Sequence, residues 1–253
     1  MRGFSKGILI LLVIASVCAA CAGPFHPRLI QGSGNVIVED RAVSGFDRVL
    51  VSGAGTVILT QGDEESLSIE TDDNLLKYIR TEVKGDTLEI DFTDGTMLSP
   101  GSGISLDPTR GLIFRISVIE LKGVQISGAA DIEVEKLKTD RFEVNFSGAG
   151  SINIDDLNAD RLEVEVSGAG DISLAGKVTS QDITLSGLGR YGSFDLESQS
   201  ASVTISGAGG ADLWVTGTLD VVISGAGDVE YFGEPSVNPQ ISGLGRIQGL
   251  GEK

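Results

Sequence analysis

The tetrapeptide Ser-Gly-Ala-Gly, or a near copy, occurs at 52–55, 127–130, 147–150, 167–170, 186–189, 206–209, 224–227 and 242–245. From residue 127 the steps between copies are 20, 20, 19, 20, 18 and 18 residues. The flanks repeat too: Thr139 to Ser147 (TDRFEVNFS) aligns with Ala159 to Ser167 (ADRLEVEVS). Gly32-Ser33-Gly34-Asn35 stands 19 residues before the first full copy and extends the expected pattern towards the N-terminus. A fixed period of this length marks a stacked repeat, in which each unit buries its apolar face only against its neighbours.

Within each unit the period is two. Phe142, Val144 and Phe146 alternate with Glu143 and Asn145; Leu162, Val164 and Val166 alternate with Glu163 and Glu165. Later units continue with Ile172 and Leu174, Val203 and Ile205, Leu213 and Val215, then Leu219, Val221 and Ile223. Alternation over short runs bounded by glycine is strand. Coils of 18–20 residues built from two or three strands predict an all-β fold, a parallel β-helix or closely related β-solenoid. The tetrapeptides are then corners. Glycine there supplies positive φ or close approach, and alanine is small enough to stack from coil to coil. A phosphate-cradling loop is excluded, because no helix or Lys-Ser/Thr follows and one nucleotide site has no use for eight copies.

Residues 61–110 interrupt the repeat. Ser66 to Thr71 alternates as a strand, and Asp72 to Arg80 predicts one or two helical turns capped by Asp72 or Asp73. Thr81 to Val83 and Thr87 to Phe92 predict a hairpin around Lys84-Gly85-Asp86. Thr93 to Arg110 reads as loop, and Leu112 to Leu121 returns to strand. An insertion of this kind is expected to cover an open end or side of the solenoid, where unpaired strand edges invite association.

The N-terminus is an address. Arg2 and Lys6 precede the apolar run Gly7 to Val17, which leads into Cys18-Ala19-Ala20-Cys21-Ala22-Gly23. That order predicts a signal peptide over residues 1–20, with an apolar run too short to span a membrane. Ala19-Ala20-Cys21 resembles a bacterial lipobox, which makes Cys21 the expected acylated residue; ordinary cleavage after Ala22 is the alternative. Residues 21–34, with Pro24, Pro27 and His26, are expected to form a tether, and residues 35–253 the solenoid domain. Removing Arg2 and Lys6 takes the formal charge from −17 to −19. So negative a chain is no partner for nucleic acid.

The residues that follow each corner are Thr56, Asp131, Ser151, Asp171, Arg190, Gly210, Asp228 and Arg246. Equivalent positions in stacked coils lie about 4.8 Å apart, which sets Asp171 beside Arg190 and Asp228 beside Arg246. Charge pairing on a solvated face accounts for this column; contact with a ligand through Asp131, Asp171 and Asp228 is the functional alternative. The arginines and Gly210 break the series that a calcium-binding repeat would need, and no metal site or cofactor is expected. Asp155-Asp156 and Asp63-Glu64-Glu65 read as solvated surface, and His26 lies too far out in the tether to activate a serine. Trp214 falls between the inward Leu213 and Val215, so it is expected to face outward, where a sugar or protein could meet it.

Several segments together resemble the autotransporter-adhesin "head GIN" domain family, a domain of unknown function. Val43 to Gly55 (VSGFDRVLVSGAG) looks like its opening, and Asp73-Asn74-Leu75-Leu76 with Thr81-Glu82-Val83 looks like its middle. Ile119-Glu120-Leu121 leading into Ile126 to Asp131 looks like the start of its repeat run. The likeness runs from about Val36 to Gly249. It implies a β-helical protein that is exported or lipid-anchored, and it implies no catalytic residues.

The function expected is therefore that of a non-enzymatic cell-envelope lipoprotein. It would be held to the outer membrane through its N-terminal lipid, facing periplasm or surface, and present an acidic face to a glycan or protein ligand. The rivals are a β-helical carbohydrate-active enzyme and a structural module that associates with itself. Gly249 to Lys253, charged and glycine-rich, speaks against end-to-end stacking.

Overall fold

The computed structural model describes residues 28–93, 96–97 and 104–253. Before the repeats come β1 (Arg28–Gln31), β2 (Val36–Arg41), β3 (Arg48–Val51), β4 (Ala54–Gln61), β5 (Ser66–Asp72), β6 (Ile79–Lys84), β7 (Thr87–Phe92), β8 (Thr96–Met97), β9 (Ile104–Asp107) and β10 (Ile113–Val118). The repeats contain β11 (Gly123–Ile126), β12 (Ala129–Val134), β13 (Leu137–Phe146), β14 (Ala149–Val166), β15 (Ala169–Leu185), β16 (Arg190–Ile205), β17 (Gly210–Ile223), β18 (Asp228–Phe232), β19 (Ser236–Ile241) and β20 (Arg246–Gly249).

The chain winds into the expected parallel β-solenoid. After each corner, one face stacks β4, β12, β14, β15, β16, β17, β18 and β20 in parallel. Before each corner, another face stacks β3, β11, β13, β14, β15, β16, β17 and β19. The long strands β14 to β17 run through both faces and bend between them at register shifts, which create a third, middle face. Inward residues align in columns: Val57, Ile132, Ile152, Ile172, Tyr191, Ala211 and Val229 form one, buried throughout. Each such aliphatic side chain contributes roughly 1.5–3 kcal/mol by leaving water.

The corner glycines are explained by approach rather than by φ. A Cβ at Gly128 would lie 1.8 Å from the Gly53 carbonyl oxygen, and one at Gly168 would lie 2.0 Å from that of Gly148. The corner amides bond directly to those carbonyls, with Ala129 N–H donating to Gly53 O at 2.9 Å and Ala169 N–H to Gly148 O at 3.1 Å. The ladder thus runs unbroken around the corner, with no room for a side chain. Among the corner glycines only Gly55 and Gly150 have positive φ.

The interruption in the repeat is a cap. The β3–β4 coil packs directly on β11 and β12, so coils adjacent in space are about seventy-five residues apart in sequence (Val51 beside Ile126). On the far side of that coil, β10 pairs with β4 and β7 with β3. Antiparallel strands then finish each face: β5 joins β10 and β2 joins β5, while β6 joins β7 through the expected hairpin at Gly85-Asp86.

Four expectations need correction here, the first being that residues 93–110 are loop, since β8 and β9 pair in parallel within them. The helical turn is a single 3-10 turn, Leu76–Tyr78, which no side chain caps. Asp72 is instead fully buried, accepting hydrogen bonds from Gly34 N (2.8 Å), Thr109 N (2.7 Å) and the Thr109 hydroxyl (2.8 Å). Burial pushes its pKa up, but these donors outweigh that and hold the carboxyl below its usual range. Gly32 to Asn35 is not a corner: it wraps the same turn, with Ser33 and Asn35 side chains donating to Asp73. A Cβ at Gly32 would strike the Asp72 carboxylate at 2.3 Å. Nor are residues 28–34 tether, since β1 pairs in parallel with β9.

One stretch of the interior is polar. Gln181 interrupts the column Phe142, Leu162, Ala201, Leu219, and Tyr191 reaches it across the core. Tyr191 donates to Gln181 Oε1 at 2.7 Å, Gln181 Nε2 donates to Ser198 Oγ at 2.8 Å, and Ser198 donates to the Trp214 carbonyl at 3.0 Å. Ala201 and Ala211, next in their columns, make room for the two larger side chains. Burial raises the Tyr191 phenol well above its ordinary pKa, so it stays a donor.

Candidate functional site

Outward side chains of the solenoid form columns as regular as the inward ones. On the face before the corners, an ion-pair ladder climbs four coils. Arg48 pairs with Glu143 (2.7 Å), Glu143 with Arg141 (3.1 Å), Arg141 with Glu163 (2.5 Å), Glu163 with Arg161 (2.8 Å) and Arg161 with Asp182 (3.5 Å). Arg48 reaches Glu143 by crossing the intervening coil at Gly123, where a Cβ would stand 2.9 Å from its guanidinium. The hydrogen bond from Arg48 holds the Glu143 carboxyl below its usual range, against burial, which raises it. Glu143, Asn145, Glu163, Glu165, Asp182 and Thr184 line a shallow groove of about 380 Å³ beside this ladder.

The column after the corners forms in the expected order, with Asp131 beside Ser151, Ser151 beside Asp171, Asp171 beside Arg190 and Asp228 beside Arg246. It does not gather Asp131, Asp171 and Asp228 into one site, because other residues separate them on successive coils. Asp131 accepts a hydrogen bond from Ser151 at 2.7 Å, and Asp228 pairs with Arg246 at 3.5 Å. Arg190 turns away from Asp171 and makes a bidentate pair with the buried Asp212, at 2.8 and 2.7 Å. Its path lies over Gly210, which has no side chain to block it. Among the described residues, no cluster of three or more His, Cys, Asp or Glu side chains could hold a metal ion.

Trp214 does face outward, half-buried, on the middle face. Its column runs Lys138, Asn158, Lys177, Glu197, Trp214, Phe232. Asn158, Asp160, Lys177, Thr179, Glu197, Gln199 and Thr216 line a second groove, also about 380 Å³, that reaches the coil of Trp214 at Thr216 without including the indole in its lining. Phe194 and Phe232 pack edge to face at 5.1 Å between centroids. Over the indole lies the Lys253 ammonium, 4.8 Å from the ring centroid, which also donates to the Phe194 carbonyl and to Asp195 Oδ1. Sequence reasoning reached Trp214 through the period of two but had no signal for the Phe194, Asp195 and Lys253 grouping. Cys21 and His26 lie outside the described residues.

A stacked solenoid with charged ladders outside and closely stacked corner glycines defines a class of β-helical repeat protein. The comparisons narrow it. Residues 45–235 match the family model described as "Putative auto-transporter adhesin, head GIN domain", and the chain belongs to that family. Among solved structures, a "putative adhesin" from Bacteroides fragilis is similar, with a TM-score of 0.80 at 24% identity over 87% of this chain and all of the other. A "putative lipid binding protein" from Parabacteroides distasonis has a TM-score of 0.72 at 25% identity, covering 88% of this chain and all of that one. A "putative adhesin" from Parabacteroides merdae has 0.67 at 19% identity, covering 88% and 99%. No curated protein matches the chain.

Proposed function

We propose that this protein is an exported cell-envelope lipoprotein, acylated at Cys21, whose solenoid is a non-enzymatic, adhesin-like binding scaffold. The observation that carries the reading is the pair of grooves on adjacent outward faces, each about 380 Å³ and lined by polar side chains set in fixed columns. Columns held by a continuous parallel ladder are preorganised, so a ligand meets them with little ordering cost. Three carboxylates of the first groove, Glu143, Glu163 and Asp182, are engaged by Arg48, Arg141 and Arg161, not opposed in pairs across a cleft as glycosidic hydrolysis requires. That arrangement favours the scaffold over the carbohydrate-active enzyme. The signal peptide and the lipobox-like Ala19-Ala20-Cys21 support the anchor and an outer-membrane location.

A screen of the soluble mature domain against glycan arrays and matrix proteins tests the scaffold; saturable binding is expected, and turnover of a polysaccharide would replace the reading with the enzyme. For the anchor, Cys21→Ser is expected to abolish lipid labelling and release the protein from membranes. Unchanged membrane attachment in that variant overturns the lipoprotein assignment.

A further inference from the structure

The ammonium of Lys253 is held in three ways at once. It lies on the Trp214 face at 4.8 Å, and it donates to a backbone carbonyl, that of Phe194, and to the Asp195 carboxylate. An aromatic face, a neutral oxygen and a carboxylate are what a primary ammonium needs when it leaves water, and the arrangement exposes what this surface recognises. The lysine arrives on a short extension of the ladder, with Leu250 N–H donating to Tyr231 O and Gly233 N–H to Gly251 O, both at 2.8 Å. Its side chain then reaches back across two coils to the seat. Nothing in that segment is buried: Leu250 is 37% exposed, and the contacts of Lys253 are the segment's side-chain hold on the coils behind it.

Two further observations point to what would compete for the seat. The chain carries a formal charge of −17, and the groove of Asn158, Asp160, Lys177, Thr179, Glu197, Gln199 and Thr216 lies next to Trp214, which pairs with Glu197 and shares a strand with Thr216. A field of that sign draws cationic chains and repels anionic ones. Amide, hydroxyl and carboxylate groups along the groove suit an extended polypeptide backbone with polar side chains. We infer that Trp214, the Phe194 carbonyl and Asp195 form a lysine-recognition seat for a basic polypeptide segment lying in the adjacent groove, and that Lys253 occupies this seat in cis until such a segment displaces it. The inference rests on the scaffold reading above and names its partner. Because the cis lysine competes, apparent affinity in the wild type is the intrinsic affinity reduced by the fraction of open seats.

The sign of one substitution separates this role from a merely structural latch. The probe is a capped synthetic peptide of alternating lysine and serine, dye-labelled and followed by polarisation, with Trp214 fluorescence as an internal reporter since it is the chain's single tryptophan. Lys253→Met, which keeps the length and loses the charge, is expected to tighten peptide binding by about threefold or more by removing the competitor. Asp195→Asn and Trp214→Leu, each combined with Lys253→Met, are expected to weaken it again, and a peptide with norleucine for lysine is expected not to bind. Binding that is unchanged or weaker in Lys253→Met overturns the inference, as does equal binding of the norleucine peptide. A chito-oligosaccharide that binds Lys253→Met and perturbs Trp214 where the lysine peptide does not would overturn it in favour of a sugar platform. If Lys253→Met lowers the melting temperature, Asp195→Asn alone reads the same seat with the tail intact and is expected to weaken peptide binding. Saturable binding in the glycan and matrix screen, with all peptide arms negative, would remove this inference and leave the scaffold standing.

Discussion

The coils built by β13 to β15 and those built by β16 to β18 share one backbone plan and divide their chemistry in opposite ways. In the earlier coils the interior of β13 and β14 is almost wholly apolar, with Phe142, Phe146, Leu162 and Val166 stacked in register and Gln181 of β15 marking the boundary, and the exterior carries the arginine–carboxylate ladder. In the later coils Tyr191, Ser193 and Ser198 are buried, while Phe194, Trp214 and Phe232 come to the surface. The coils shorten to 18 residues from β17 onward, and the largest register shift falls between β16 and β17, where Ser193 and Glu197 pair with the neighbours Leu213 and Trp214. A repeat that keeps polar groups out and aromatics in has stability as its whole task; where it reverses both, another demand is acting. The reversal falls on the coils that hold the lysine seat.

The largest effect that tests this comparison is at the corners, which both regions share. Gly168→Val and Gly207→Val should each destabilise by about 3 kcal/mol or more, because a Cβ at either meets a carbonyl oxygen of the preceding coil at 2.0 or 2.1 Å. Chemical denaturation of the two variants checks it; tolerance of one alone would mean the two sets of coils do not share a frame. A smaller effect is expected inside the later coils. Tyr191→Phe should cost about 1–3 kcal/mol by leaving Gln181 Oε1 without its donor, and adding Gln181→Leu should recover most of that loss. If the double variant is as unstable as the sum of the singles, the polar interior is not a closed network.

The smallest effect belongs to the ladder of the earlier coils. Glu143→Gln should cost at most about 1 kcal/mol, since the Arg48 pair is partly exposed. With the Glu143 pKa lowered in the folded state by the hydrogen bond from Arg48, its contribution is present above the usual carboxylate pKa and disappears as pH falls through the lowered one. Stability curves of wild type and variant should therefore converge in acid and at high salt. Curves that stay parallel to low pH would remove the ladder as an electrostatic feature.

Much of this architecture was legible because a repeat writes the same instruction many times. The period set the coil length, the alternation of Val144 with Glu143 and Asn145 set the faces, and Gly85-Asp86 marked the hairpin. What stayed hidden depends on contacts without periodicity. Gly32 to Asn35 carries a corner-like pattern, yet the same small residues also suit a loop wrapped around the Asp72 carboxylate. Arg190 was placed correctly beside Asp171, but its partner is chosen by the space over Gly210, which register alone does not reveal. Lys253 meets Trp214 across 39 residues, joined by neither repeat nor motif.

The cap has a consequence for reach. Because β5, β2 and β6 finish the stack at one end, coils gained or lost between that cap and the later coils leave the cap's own pairings unchanged. Each coil advances the chain by about 4.8 Å. The solenoid is in this sense a ruler: duplicating the Ala149 to Gly168 coil would carry Trp214 one mark further from the cap, and deleting it would draw Trp214 one mark closer.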